Sequence, residues 1–312
     1  MKRGKKVTGN NLTFGIVGLS AAESVWFPDV YQKGKKALED RGIKVVEGST
    51  IHSSYHYLAE KPENIAKSLH EMFLRPDVDA VMCAGGGICM NKALPHVDFD
   101  LLKENWKPFI GISNVVVLMS ALLQNGMASF HGPFSMWNYG VDGTPTSFTH
   151  ENVIKMLSGY KGKLPSMSEW HSFRDGNAEG VLFGGNITSL GTVVGTKYCP
   201  VELFESKILL LEDIAEKYDR LDSIITHMDL MGVFERIKGV VIGKLEECEP
   251  PENVDMTVTD FLEMIFSKYN FPVIYDCDFG HIADNLCLPV GSRVRMIAKD
   301  RPEIEVLEPG VE

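Results

Sequence analysis

No apolar run in this 312-residue chain approaches the ~20 residues a membrane-spanning helix needs. Basic charge is also scarce. Lys and Arg number 31 against 42 Asp and Glu, for a net charge of −11. Nucleic acid and anionic membranes demand a concentrated basic surface, so neither is an expected partner. A small anionic substrate needs only one or two local cations and stays open. Cysteine is sparse too. The six residues (Cys83, Cys89, Cys199, Cys248, Cys277, Cys287) form no C-x-x-C pair and show no His/Cys ligand spacing. No disulfide framework and no metal are expected, and several of these thiols sit in strand-like apolar runs as small hydrophobes. Missing as well is any G-x-G-x-x-G or G-x-x-x-x-G-K-[ST] loop, which leaves a Rossmann-type dehydrogenase little support. Met1-Lys-Arg-Gly-Lys-Lys6 followed by Phe14–Leu19 imitates an export signal, but the polar insertion Thr8–Thr13 breaks it. A first buried strand and a cytoplasmic, reduced protein are expected instead.

What is present is strand–helix alternation. Strands are predicted at Phe14–Leu19, Ile43–Glu47, Ala80–Cys83 and Phe109–Ile112, with helices at Asp29–Arg41 and Glu63–Leu74 between them. The second helix gathers Ile65, Leu69, Met72 and Phe73 on one face. Such alternation implies a largely parallel sheet with its ligand crevice off the carboxyl ends of the strands. From about Asn138 the pattern weakens and Gly, Pro, Ser and Asp accumulate, with one helix around Val153–Leu157. This divides the chain into a first domain at 1–137, a passage at 138–177 and a second domain at 178–312. The second domain carries predicted strands at Val181–Phe183, Ile208–Leu211, Gly239–Ile242 and Val273–Tyr275. Its predicted helices lie around Arg220–Met231 and Val258–Tyr269.

The segment Phe109-Ile-Gly-Ile-Ser113-Asn114 stops an apolar strand on a serine and passes straight into an apolar helical pattern. A strand–turn–helix of this kind lifts a hydroxyl above the sheet with backbone N–H groups beside it. A serine needs a base, and the base needs a carboxylate to hold it. Leu211-Glu212-Asp213 ends a strand in acids, and Phe279-Gly-His281 places a histidine after a glycine. Serine, acid, histidine is a known chain order for a triad. The run Gly85-Gly-Gly87 follows a strand. It is either an oxyanion hole, in which Gly87 N–H acts with Asn114 N–H, or a tight turn without ligand. Asn186, before a helix-like run, is an N-cap candidate as well as a substrate contact. His131 is expected as a cleft wall. Trp137, Tyr139, Trp170 and Phe173 are aromatics placed to stack on a planar group or to be buried between domains.

Taken together these blocks resemble the serine peptidases of the LD-carboxypeptidase family, and within it the branch of the microcin C immunity peptidases. The resemblance runs from Phe14 to Val306 through eight ordered blocks. They are Gly86-Gly87 with Asn91 and Leu94–Asp98, Phe109–Asn114, His131-Gly-Pro133, Gly184-Gly-Asn186, Gly195–Tyr198, Leu211–Asp213, Gly239–Lys244 and Phe279–His281. The resemblance implies an α/β protein with an N-terminal Rossmann/flavodoxin-like domain and a C-terminal β-rich α/β domain. It implies a cytoplasmic homodimer without metal or other cofactor. By the same likeness Ser113 is the nucleophile, His281 the base, Glu212 its partner, and Gly87 and Asn114 the oxyanion hole. Gly86, Asn91, His131, Trp170 and Asn186 are the substrate-binding candidates.

The sequence departs from the family where Asn114 and Ile112 flank the serine in place of Asp and Tyr. Ala84 stands in place of Arg, which removes a cation expected of murein-cleaving members. Asn114 is expected to take a carboxylate out of the cleft, and Trp170 to be the remnant of an aromatic clamp. The expected activity is hydrolysis of an amide in a small peptide or peptidyl- or aminoacyl-nucleotide conjugate. Murein tetrapeptide LD-carboxypeptidase activity and a catalytically idle ligand binder are the alternatives.

Overall fold

The computed structural model describes residues 1–9, 11–141 and 145–312. Asn10, and the Asp142-Gly-Thr144 part of the passage, lie outside the described residues. Strands β1 (Thr13–Val17), β2 (Lys44–Glu47), β3 (Ala80–Cys83), β4 (Phe109–Gly111) and β5 (Ser129–His131) pair in parallel in the order β2-β1-β3-β4-β5. That is the doubly wound, flavodoxin-like order. β1 and β3 to β5 are buried at every residue, as strands covered on both faces must be, which is why they read as unbroken apolar runs. Helix Pro62–Leu74 begins with proline at its first position and buries Ile65, Leu69, Met72 and Phe73 as its periodicity predicts.

The passage is more ordered than its composition indicates. It holds helix Ser147–Leu157, N-capped by Thr146, and strands β6 (Gly162–Lys163) and β7 (His171–Arg174). Strands β8 (Gly176–Asn186), β9 (Lys207–Ile214), β10 (Gly239–Glu246) and β11 (Val273–Tyr275) form the parallel centre of a second sheet. β12 (Leu288–Val290) leaves that domain and closes the edge of the first sheet, antiparallel to β5. β13 (Arg293–Ala298) and β14 (Glu303–Val306) return to the second sheet, whose order is β6-β14-β13-β8-β9-β10-β11-β7.

Helix Val116–Gln124 sits against the second sheet as well as its own. Every side chain from Val116 to Leu123 is buried, so it is apolar all round. Full burial of each Val or Leu is worth about 1.5–3 kcal/mol. The residue three places before this helix is Ser113, which therefore stands on one of the most firmly held segments of the chain. Among the described residues no helix is long and apolar enough to cross a membrane.

Candidate active site

Ser113 adopts φ of +61°. A side chain held in the left-handed region stores about 1–3 kcal/mol of strain, and such strain persists where the surroundings over-determine it. Here they do. Gly111 must lack a β-carbon, because one would lie 2.7 Å from Val115 Cγ1. Downstream the buried helix fixes the exit direction. The result is a sharp strand-to-helix turn with Ser113 half-exposed at its apex.

The glycine run packs directly against this apex. A β-carbon on Gly86 would come within 2.9 Å of both Ser113 Cβ and Oγ. One on Gly87, whose φ is +107°, would lie 2.2 Å from Ala21 Cβ. Only glycine allows this approach. Glu23 Oε2 accepts hydrogen bonds from Gly86 N–H and Trp137 Nε1–H, both at 2.9 Å. Among the described residues neither Gly87 N–H nor Asn114 N–H has a protein acceptor. Both donors therefore remain unengaged by protein acceptors.

Glu212 stands near the carboxyl end of β9, fully buried. Its Oε2 lies 2.7 Å from His281 Nδ1. Burial, the largest single influence, raises the Glu212 pKa, but the charge and hydrogen bond of His281 together with the adjacent His131 outweigh it and hold the carboxyl well below its usual range. Burial lowers the His281 pKa, and the Glu212 carboxylate more than offsets this, so the imidazole is net raised. The neighbouring Asp213 faces elsewhere. It accepts from Asn186 Nδ2, from the Thr188 N–H and hydroxyl, and from Ile214 N–H, at 2.8–2.9 Å.

The loop bearing His281 is strapped to the passage that follows the first domain. Asn138 Nδ2 donates to Ile282 O at 2.9 Å, and the Thr149 hydroxyl donates to Ala283 O at 2.6 Å. Ser113 and His281 thus face one cavity of about 890 Å³, shared with Glu23, Gly86, Gly87 and Phe134. Ser113 Oγ makes no hydrogen bond to the imidazole here. Contacts of this type commonly tighten only around substrate. Among the described residues no group of three or more His, Cys, Asp or Glu side chains is placed to hold a metal.

Several candidates lie elsewhere. Asn114 is 4% exposed, and its side chain is not in the cleft. Its Oδ1 lies 2.7 Å from Ser20 Oγ and accepts from Met90 N–H at 2.8 Å, while Nδ2 reaches Ser189 Oγ at 3.3 Å. The side chain ties the Ser113 turn to the glycine loop and the second domain, so the expectation that it removes a cleft carboxylate is corrected. Trp170 is buried with its Nε1–H on Asp278 at 2.9 Å, away from the cavity lining. Asn186 caps helix Ile187–Gly191 by accepting from Ser189 N–H. Asn91 is exposed on a short 3₁₀ turn outside the lining. His131 is fully buried behind Glu212. Conversely, Glu23, Phe134, Asn138 and Glu247 line the cavity without having been singled out. Their signal is purely spatial, since they come from three separate segments.

Comparison with known proteins identifies the family and the fold. Residues 15–132 match the family model of the LD-carboxypeptidase N-terminal domain, and residues 179–296 that of the C-terminal domain. The chain is 31% identical to the murein tetrapeptide carboxypeptidase of Pseudomonas aeruginosa, over 89% of this chain and 91% of that one. It is 25% identical to the microcin C7 self-immunity protein MccF of Escherichia coli, over 95% and 93%. A solved MccF structure superposes with a TM-score of 0.91 at 22% identity, covering 100% of both chains.

Proposed function

The chain belongs to the LD-carboxypeptidase family of serine peptidases, and from that premise we propose that it hydrolyses an amide joining an amino acid or short peptide to a nucleotide-like group. The observation that supports this most is the buried Glu212–His281 pair opening onto the cavity of a strained serine. In this reading Ser113 Oγ attacks the carbonyl carbon as His281 Nε2 takes its proton. The carbonyl π electrons move onto oxygen, where Gly87 N–H and Asn114 N–H receive the oxyanion. Collapse breaks the C–N bond, and His281 returns the proton to the leaving amine. Water, deprotonated by the same imidazole, then cleaves the acyl-enzyme. Glu212 keeps the proton of the imidazole on Nδ1 throughout.

The cavity lining bears on the leaving group. Among the described residues it contains no Lys or Arg, and it carries the carboxylates of Glu23 and Glu247. Ile112, Phe134, Trp137, Val141, Ile214 and Ile282 give it an apolar and aromatic character. A leaving group with a free carboxylate, such as a terminal D-alanine, meets a negative field there. A planar, uncharged group meets an aromatic wall. Solved MccF complexes hold glutamyl sulfamoyl guanosine and aspartyl sulfamoyl adenosine, which favours the same substrate class here. The second reading, murein tetrapeptide carboxypeptidase, has the identity to the Pseudomonas enzyme in its favour.

Product mass spectrometry separates them. The protein is incubated with a murein tetrapeptide and with an aminoacyl sulfamoyl adenosine. Release of the amino acid from the nucleoside alone is expected. Loss of D-alanine from the tetrapeptide alone would overturn the assignment in favour of the second reading, and silence on both would favour an idle binder. The pH profile offers a further check. The base works in its neutral form, so activity falls as pH drops through the His281 pKa. Because Glu212 raises that pKa, the acid limb of kcat/KM is expected above the ordinary histidine value of about 6.5. A limb below it would contradict the pairing. The six unpaired cysteines accord with a reducing cytoplasm. The homodimer implied by the family resemblance is checked by light scattering.

A further inference from the structure

His131 lies beside Glu212, and the mechanism above gives it no task. It ends β5, beside the strand that leads to Ser113, with Gly111 as its register partner. Its ring crosses to the second sheet. There it packs edge-on against Phe279, with ring centroids 5.7 Å apart, and occupies room left by Gly185. A β-carbon on Gly185 would lie 3.0 Å from His131 Cδ2. The ring is fully buried, and among the described residues neither nitrogen has a hydrogen-bond partner. Glu212 Oε1 is equally buried and equally unpartnered. The two face each other, with His131 Nε2 3.7 Å from Glu212 Oε1. That is about 0.5–1 Å beyond an ordinary N–H···O contact. Leaving both atoms dry and unpaired is costly, and a small closure removes both penalties.

We propose that His131 is a positioning residue, whose Nε2–H donates to Glu212 Oε1 and holds the carboxylate so that Oε2 stays on His281 Nδ1. A neutral ring with its proton on Nε2 suffices, so no second buried cation is required. The inference rests on the triad assignment of Ser113, Glu212 and His281. The titratable groups facing the pair are few. Asp213, next along β9, is turned to Asn186 and Thr188, and Glu23 lies across the cavity. With its second donor removed, Glu212 holds its remaining partner more tightly, which favours the imidazolium form of His281.

The test compares His131→Phe, which keeps the ring but loses the donor, with His131→Gln, which keeps a donor but loses the ring. The His281 titration is followed by NMR on protein carrying ¹⁵N-labelled histidine, and turnover is assayed in parallel. In His131→Phe the His281 midpoint is expected to rise by about half a pH unit or more. kcat should fall about tenfold, the loss of one charge-assisted hydrogen bond, with KM little changed. His131→Gln should recover both. An unmoved midpoint in folded His131→Phe, or full activity in Phe and loss in Gln, would reduce His131 to packing and overturn the proposal. Should His131→Phe not fold, the wild-type ¹⁵N shifts decide, since a His131 protonated on Nδ1 alone presents no donor to Glu212 and overturns it. Absence of turnover in the wild type would count against the peptidase reading, while the NMR comparison still judges His131 by itself.

Discussion

Ser113→Ala is expected to lower kcat by about a millionfold, the size of effect seen when the nucleophile of a triad is removed. The loss is chemical and not structural. Among the described residues the Ser113 hydroxyl has no hydrogen-bond partner, while the turn is held by Gly111, Gly86 and the buried helix after it. The variant should therefore fold, melt close to the wild type and still bind substrate. Its companion Ser113→Gly is equally inactive but sheds the β-carbon that strains φ at +61°. It should melt at or above the alanine variant, by up to about 1 kcal/mol at the lower end of such strain energies. Intact-mass detection of an acyl-enzyme in the wild type alone would complete the case. Equal turnover in wild type and Ser113→Ala would remove the serine from the chemistry.

The parts of this site that were legible in the sequence are those written locally. The apolar run ending at Gly111-Ile112-Ser113 and the helical pattern from Val116 show a strand, a turn and a helix with no help from elsewhere. β3 and β11 begin and end where their apolar runs do. β8 was visible only at Val181–Phe183, because the half that pairs with β13 is only partly buried and runs through Gly176, Asn177, Glu179 and Gly180. β13 itself alternates, with Val294, Met296 and Ala298 buried between less buried arginines and Ile297. That period of two was available and went unread. β12, with proline at its middle, looks like a loop, and proline is tolerated there because the strand lies at a sheet edge.

What was not legible depends on residues distant in sequence. Asn114 looked like a cleft residue because it follows the serine, yet its side chain meets Ser20, Met90 and Ser189. Trp170, in an irregular passage, fits either an aromatic clamp or burial between domains by sequence alone. Its indole is fixed by Asp278, which also accepts from Met167 N–H and the Ser168 hydroxyl. The passage is thereby pinned three residues before His281, so Trp170 steadies the loop that bears His281 instead of lining the cavity. No pattern within either segment carries that information.

Glu212→Gln should be the second-largest effect, lowering kcat by about 10³–10⁴-fold, less than His281→Ala because it orients the proton carrier and does not move the proton. The amide is isosteric, but half of its possible orientations present N–H₂ to Nδ1 and force the wrong tautomer. Without the carboxylate, burial of His281 is opposed only by the charges of Asp213 and Glu23, so the acid limb of the residual activity should move down. Stability should change with pH in a defined window. The raised His281 pKa contributes stability that is complete below the ordinary histidine value of 6.5 and is lost as pH rises through the folded pKa. The depressed Glu212 pKa contributes stability that is complete above the ordinary glutamate value of 4.5 and is lost as pH falls through the folded one. Both are present together between 4.5 and 6.5. The melting temperature of Glu212→Gln should therefore fall furthest below that of the wild type in this interval, and the gap should narrow above the folded His281 pKa. A gap independent of pH would mean that the two residues touch without sharing a proton equilibrium, and full activity in Glu212→Gln would remove the acid from the triad.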